Sequence, residues 1–203
     1  MVAEITSSKR AGPDGESIGL AMIITTSRLH LRCWKQSDRN AFAIMHADPA
    51  VMLDYGGPIS RAESDAKFDR YAATYLEHGF CRWAVESQEG VFLGYAGIMP
   101  SRPGHPLGSH SEIGWRLIRQ GWGHGYATEA ARAALGDVFT RVGLGEVVAY
   151  TAPNNLRSQA VMTRLRMQRD PSRDFTADYD SINAWRGLVW IARPPAPVDL
   201  ACP

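Results

Sequence analysis

Cysteine is scarce in this chain: among 203 residues it occurs at Cys33, Cys81 and Cys202 alone, an odd number with no C-x-x-C pair. That spacing excludes a disulfide framework and a zinc knuckle, and no metal site is expected. The thiols read as reduced, with Cys33 and Cys81 as small core residues in apolar segments. Long apolar runs are missing as well. No stretch approaches the roughly 18 residues that span a bilayer, and Met1 to Gly19 carries charge where a secretory leader needs its apolar stretch. No membrane association is expected, and the expected location is cytoplasmic. Nor is one sign of charge in excess. Twenty-two Lys and Arg against 21 Asp and Glu leave a formal charge of +1, which gives no global electrostatic reason to bind nucleic acid. What is there is an ordinary globular mixture, 45% hydrophobic and 21% charged, enough to form a core.

The length favours one domain. The opening stretch mixes Lys9, Arg10, Gly12, Pro13, Gly15 and Gly19 without periodicity, and Arg193-Pro194-Pro195-Ala196-Pro197 cannot continue a strand ladder. Residues 1–22 and 194–203 therefore read as tails around a single domain of residues 23–193. Within it, Leu29, Leu31 and Cys33 alternate with His30 and Arg32 as in a half-buried strand. Ser37 or Asp38 is suited to cap a helix carrying Ala41, Phe42, Ile44 and Met45, which Pro49 stops. Ser60-Arg61-Ala62-Glu63 has the form of a capping box opening a helix that runs to Gly79. Arg82–Glu86 and Val91–Ile98 flank a short polar turn and read as a hairpin; after the Pro and Gly loop from Pro100 to Gly108, Glu112–Ile118 reads as a strand. Tyr126 to Val142 has the pattern of an amphipathic helix ended by Gly143, Glu146–Ala152 that of a strand. Asn154 or Asn155 then caps a helix with Leu156, Ala160, Val161 and Leu165 facing inward, and Leu188–Ala192 is the last strand. The fold class is α/β, in the α+β sense of a mixed sheet covered by helices.

The most informative segment is Gln120-Gly121-Trp122-Gly123-His124-Gly125-Tyr126-Ala127-Thr128-Glu129-Ala130, set between a strand and a helix. The first amides of a helix lack internal partners and, with the helix dipole, suit a phosphate or diphosphate; glycine lets the anion approach. A tight turn without a ligand is the plain alternative. No lysine follows the glycines, which disfavours a Walker loop, and the next strand ends Tyr150-Thr151-Ala152-Pro153-Asn154, without the acid of a dinucleotide-binding turn.

What remains, Gln120-x-x-Gly123-x-Gly125, resembles the acyl-CoA diphosphate loop of the GNAT superfamily of N-acetyltransferases. Trp122-Gly123-His124-Gly125-Tyr126-Ala127-Thr128-Glu129-Ala130 is similar to the corresponding run of the branch that contains ribosomal-protein N-terminal acetyltransferases. Pro153-x-Asn155-x-x-Ser158-x-x-Val161-Met162-x-x-Leu165 and Arg28-Leu29-x-Leu31-Arg32 resemble two further segments of that branch, so the similarity covers about residues 23 to 193. The resemblance implies a central, mostly antiparallel mixed sheet of about six to seven strands with about four helices. It implies acetyl-CoA as co-substrate and no metal. Carried over residue by residue, the backbone of Leu117, Ile118 and Arg119 pairs with the pantetheine arm. Gln120, Gly123, His124, Gly125, Tyr126, Ala127 and Thr128 form the diphosphate loop, Asn155 contacts pantetheine, and Ser158 lies near the cofactor. The acceptor is then a protein N-terminus or a small-molecule amine.

Acetyl transfer needs a neutral amine, whereas a lysine amine with a reference value of about 10.4, or an α-amine near 8, is largely or partly protonated at neutral pH. A carboxylate beside the acceptor, acting directly or through water, suits the proton's removal. Glu112 is the candidate base, with a pairing to Arg116 as its plain alternative; His110 ranks next and His105 third. Ser158 is a candidate donor to the departing sulfur, because Met162, where many relatives carry tyrosine, cannot donate. Arg166 stands where relatives commonly have glycine, so an altered turn is expected there. Trp34, Tyr55, Trp83, Trp115 and Tyr150 are pocket candidates, and Arg82, Arg102 and the 100–110 loop are candidates for selecting an acidic or peptide acceptor. A non-catalytic acyl-CoA-binding module is the alternative function, a dinucleotide-dependent reductase a more remote one, and a homodimer is possible through exposed sheet edges.

Overall fold

The computed structural model describes residues 4–8, 21–179 and 182–196. Its strands are β1 (Glu4–Ser8), β2 (Ala21–Thr25), β3 (Leu29–Arg32), β4 (Arg82–Ser87), β5 (Phe92–Pro100), β6 (Ser111–Leu117), β7 (Val147–Thr151), β8 (Gln168–Arg169), β9 (Phe175–Tyr179) and β10 (Ile182–Ala192). The helices are α1 (Arg39–Ala47), α2 (Arg61–His78), α3 (Tyr126–Asp137) and α4 (Leu156–Arg164). All ten strands join one sheet in the order β1-β2-β3-β4-β5-β6-β7-β10-β8, with β9 paired to β10. Every pairing is antiparallel except β6 with β7, whose single registered pair is Glu112 with Val148. Beyond that pair the two strands diverge.

The sheet is wider than the six to seven strands expected. Residues 4–8, read as tail, pair with β2, and two-residue β8 is too short for any periodicity to reveal. β9 precedes a register shift between Ile182 and Trp185, which breaks the alternation that sequence reading depends on. Cys202 and the end of the proline-rich stretch fall outside the described residues. Cys33 is half-buried and Cys81 buried, and burial pushes both thiols up.

The helix boundaries follow from local chemistry. Ser60 accepts from the Glu63 amide while Glu63 reaches back to the Ser60 amide, and left-handed Gly79 closes α2. The Asn155 side chain accepts from the Ser158 amide at the start of α4. Asp38 precedes α1 but does not cap it: its carboxylate takes Arg32 in two hydrogen bonds of 2.7 and 2.9 Å and accepts from the Lys35 amide. Leu156, expected inside, is 71% exposed. It opens α4 at the mouth of a cleft, before the helix reaches the core with Val161 and Met162. Arg166 takes the left-handed conformation (φ 58°), and Met167 N–H bonds Met162 C=O, so the glycine-type turn is kept although its residue is arginine.

Strand alternation divides β6 between two layers. Ile113 and Leu117 are buried in the main core with the small residues Ala130, Ala131, Ala133 and Ala134 of α3, and half-buried Trp115 packs there too. Arg116 projects the other way, reaching Val51 C=O and Asp54 Oδ1 in the α1–α2 connection. This second layer holds the aromatic cluster of Phe42, Phe68, Tyr71 and Tyr95.

Candidate active site

Where β6 and β7 part, a cleft of about 2270 Å³ opens between the glycine turn, α3, α4 and the α1–α2 connection. A 3₁₀ turn, Arg119–Gly121, leaves β6, and Gly123 (φ 81°) and Gly125 (φ 79°) then reverse the chain into α3. Both sit in the left-handed region, which glycine enters without strain. Gly125 has no side-chain capping bond, and the first helical bond runs from Glu129 N–H to Gly125 C=O at 3.1 Å. The amides of Tyr126, Ala127 and Thr128 precede it and have no intrahelical acceptor. No heavy atom outside the adjacent chain lies within 4 Å of where a Cβ on Gly123 would stand, so the main chain there borders open space. Uncapped amides, the positive end of α3 and a bare glycine make a cradle fitted to a diphosphate.

The cradle is fastened from below. Glu129 Oε1 accepts from Thr26 Oγ1 at 2.7 Å, Ser27 Oγ at 3.1 Å and the Arg28 amide at 3.1 Å, while its Oε2 takes Arg28 Nε at 2.7 Å. Arg28 also donates to His124 C=O at 2.9 Å and stacks on Tyr126. Burial opposes ionisation of Glu129, but the Thr26 and Arg28 hydrogen bonds outweigh it and hold the carboxyl below its ordinary value. Neither Glu129 nor Arg28 was singled out for this role, although both fall inside the quoted motifs.

Of the residues expected at the cofactor, Leu117, Gly123, His124, Gly125, Tyr126, Ala127, Thr128, Asn155 and Ser158 line the cleft together. Ile118, Arg119 and Gln120 do not. The Ile118 amide already donates to Leu93 C=O at 3.0 Å, the Arg119 side chain turns outward to Asp48 at 2.9 Å, and Gln120 is exposed on the 3₁₀ turn. Leu117 C=O accepts from the Trp122 indole at 2.9 Å. Asn155, besides capping α4, donates from Nδ2 to Asp54 Oδ2 at 3.1 Å, which ties the two walls of the cleft. Ser158 Oγ has no hydrogen-bond partner among the described residues. Met162 is buried in the core rather than facing the cleft.

Glu112 lies at the closed end of the β6–β7 seam, outside the cleft walls, with 15% of its side chain exposed. It does not pair with Arg116. Oε1 accepts from Arg82 Nη2 at 2.7 Å and Oε2 from the Tyr150 hydroxyl. Arg82, on β4, crosses β5 to get there. Gly97 and Gly114, paired across β5 and β6, leave a bare row, and a Cβ on Gly114 would stand 2.7 Å from Arg82 Nη2. Arg82 Nη1 donates to Tyr71 Oη at 2.6 Å. His105, His110 and Glu112 place three potential ligand atoms within 4.8 Å of one another. Each already has hydrogen-bond partners. His105 Nδ1 accepts from the Leu107 amide at 3.1 Å, so in the neutral ring Nε2 carries the proton, and both Glu112 oxygens are occupied. His110 Nδ1 donates to Gly108 C=O at 2.9 Å, which leaves Nε2 as a buried lone pair without a partner. Trp83 is core, Trp34 packs in the aromatic cluster, and Trp115 lines the cleft.

Residues 28–168 match the profile of the acetyltransferase (GNAT) domain. The chain belongs to the GNAT acetyltransferase family. It is an acyltransferase of the N-acetyltransferase kind. An uncharacterized protein YkkB from Bacillus subtilis is 32% identical over 146 residues, spanning 71% of this chain and 84% of the relative. The FsC-acetyl coenzyme A-N(2)-transacetylase of Aspergillus fumigatus is 32% identical over 145 residues, 68% of this chain and 61% of that protein. A crystal structure of an acetyltransferase from Agrobacterium tumefaciens superposes with a TM-score of 0.72 at 28% identity, covering 85% and 94% of the two chains. The GNAT fold extends to the RimL ribosomal L7/L12 α-N-protein acetyltransferase in complex with coenzyme A, at TM-score 0.68 and 16% identity, covering 84% and 97%. Family and fold together support acetyl-CoA as co-substrate. Among the described residues no helix is long and apolar enough to cross a membrane.

Proposed function

We propose that this GNAT protein transfers the acetyl group of acetyl-CoA to a primary amine, either a protein N-terminus or a small molecule, by direct attack on the thioester. The observation that carries the reading is the uncapped start of α3 behind Gly123 and Gly125, opening on the cleft at the parting of β6 and β7. Gly123 through Thr128 would hold the diphosphate. The edge of β6 at Leu117 would accept the amide-rich pantetheine arm as an added strand, with Asn155 on the opposite wall.

The amine nitrogen attacks the thioester carbon, the C–S bond breaks, and the nitrogen loses one proton. Glu112 is the proposed destination of that proton, through the Tyr150 hydroxyl or a water, with His110 Nε2 as the next acceptor in the same cluster. A main-chain N–H on the Leu117 side would stabilise charge growing on the thioester oxygen. The Ser158 hydroxyl, unengaged in the cleft wall, would donate to the leaving sulfur. Acetyl-CoA offered with a panel of amines and peptides, with free thiol release followed, tests this reading. Acceptor-dependent thiol supports it; tight acetyl-CoA binding with no acceptor-dependent thiol overturns it in favour of a binding module.

A further inference from the structure

Among the cations between the sheet and helices α1 and α2 are Arg82, Arg116 and Lys67, and two of these three are ion-paired. Arg82 is matched by Glu112 at 2.7 Å and Arg116 by Asp54 at 3.0 Å. Lys67, on α2, has no direct ion pair: Glu63, one turn earlier, feels its charge, but the Glu63 carboxylate is taken by the Ser60 amide and hydroxyl. The residue is 9% exposed, and its ammonium makes no hydrogen bond or ion pair among the described residues. It rests instead over the ring of Tyr55, with Nζ 4.2 Å from the centroid, and the Arg116 guanidinium carbon stands 5.5 Å from the same centroid. Two cations thus converge on one aromatic ring from the α1–α2 connection, whose Val51 and Asp54 line the cleft beside Arg116.

The neighbours register surplus positive charge. Burial, then Lys67, then Arg116, drive His46 down to about 3 against the backbone bond that favours its charged form. Burial pushes the Tyr71 phenol up, but Arg82, Lys67 and Arg70 together outweigh it and bring it down. Burying an ammonium with no direct acid partner is costly, and here the Tyr55 ring and the Glu63 charge one turn away act against that cost without supplying an ion pair.

We propose that Lys67, with Arg116 beside it and the Tyr55 ring as its floor, binds a carboxylate of the acceptor, so that the amines this enzyme acetylates are carboxylate-bearing. The proposal rests on the reading of the cleft as an acetyl-CoA site. The cofactor's own phosphates belong at the start of α3, beyond Gly123, whereas Arg116 adjoins Leu117, where the pantetheine arm would lie. The same cations repel a polyamine. Arg82, which the sequence offered for this task, is committed to Tyr71 and Glu112.

The test has two arms on the full chain. In the first, calorimetry measures acetyl-CoA binding by wild type, K67M and K67R; equal affinities are expected, and no binding by wild type would overturn the cleft reading itself. In the second, glutarate is titrated into the CoA-loaded proteins, and acetylation of lysine is compared with that of 1,5-diaminopentane. Glutarate binding should weaken at least tenfold in K67M and recover in K67R. The wild-type preference for lysine should be at least tenfold and vanish in K67M. Glutarate that fails to bind wild type, or a K67M protein that keeps both glutarate affinity and preference, overturns the carboxylate site while leaving the cleft reading intact. K67M keeps an unbranched apolar stem of similar reach and should fold, which its melting curve checks.

Discussion

Replacing Gly123 by glutamate puts one negative charge into the proposed diphosphate cradle without disturbing its neighbours. Because no atom outside the adjacent chain lies within 4 Å of the new Cβ, the side chain has room, and the penalty to the fold is that of a left-handed non-glycine residue at φ 81°. That penalty is about 1 to 2 kcal/mol, and Gly123→Ala carries it as well, so alanine is the control for strain. The charge effect follows from Coulomb's law. At about 4 Å two like charges repel by about 1 kcal/mol in a water-like medium and about 4 kcal/mol at an effective dielectric near 20. A half-open cleft lies between these limits, so about 2 kcal/mol, or roughly thirtyfold in Kd, is the expected loss beyond alanine. Calorimetry with acetyl-CoA and with S-acetylpantetheine, which has no diphosphate, reads the effect. The loss should appear with the first, shrink in added salt and be absent with the second. An equal loss for both ligands, or equal losses for alanine and glutamate, would refute the placement of the diphosphate.

Glu112→Gln should lower kcat by about 10² to 10⁴ with the Kd for acetyl-CoA unchanged, and should flatten the acidic limb of the pH–rate profile; an unaltered profile would move the base elsewhere. His46 stays neutral in the fold down to about pH 3, whereas the unfolded ring takes a proton near 6.5. Between those values the unfolded chain binds more protons. This contribution is therefore absent above 6.5 and erodes stability as pH falls toward 3, by about 1.4 kcal/mol per unit. Urea melts should show wild type losing about 2 kcal/mol more than His46→Gln on going from pH 7 to pH 5, and parallel losses would contradict the buried neutral ring. Arg166→Gly relieves a left-handed arginine and should raise stability by about 0.5 to 1 kcal/mol, a gain of a few degrees in thermal melting; a lower midpoint would mean that the arginine stabilises the turn in another way.

The parts of the fold legible in the sequence are those whose chemistry is local. Ser60 with Glu63, Gly79, Asn155 and the glycines before Tyr126 announce their helix ends because a cap or a left-handed turn needs those residue types within a few positions. Gly143 likewise closes α3, through a π-helical turn at Val138–Val142. Leu156 failed for the opposite reason: apolar spacing says that a residue belongs to a helix face but not that the face has yet met the core. The fastening of Glu129 to Thr26, Ser27 and Arg28 spans about a hundred positions and leaves no periodic trace. Arg82 likewise offered no sign of its reach to Glu112, because what seats it is the absence of a side chain at Gly114 on another strand. Lys67 reads as one more charge on a polar stretch until Tyr55 and Arg116 are placed around it.

The lone registered pair between β6 and β7 has a consequence for solubility as well as chemistry. Unpaired strand margins on a protein's outside invite other chains to add themselves, which is the usual origin of edge-to-edge aggregation. Here the margin created where the seam opens faces a cleft walled by α3, α4 and the Asp54–Asn155 tie, so it is not presented to other chains as an outer edge is.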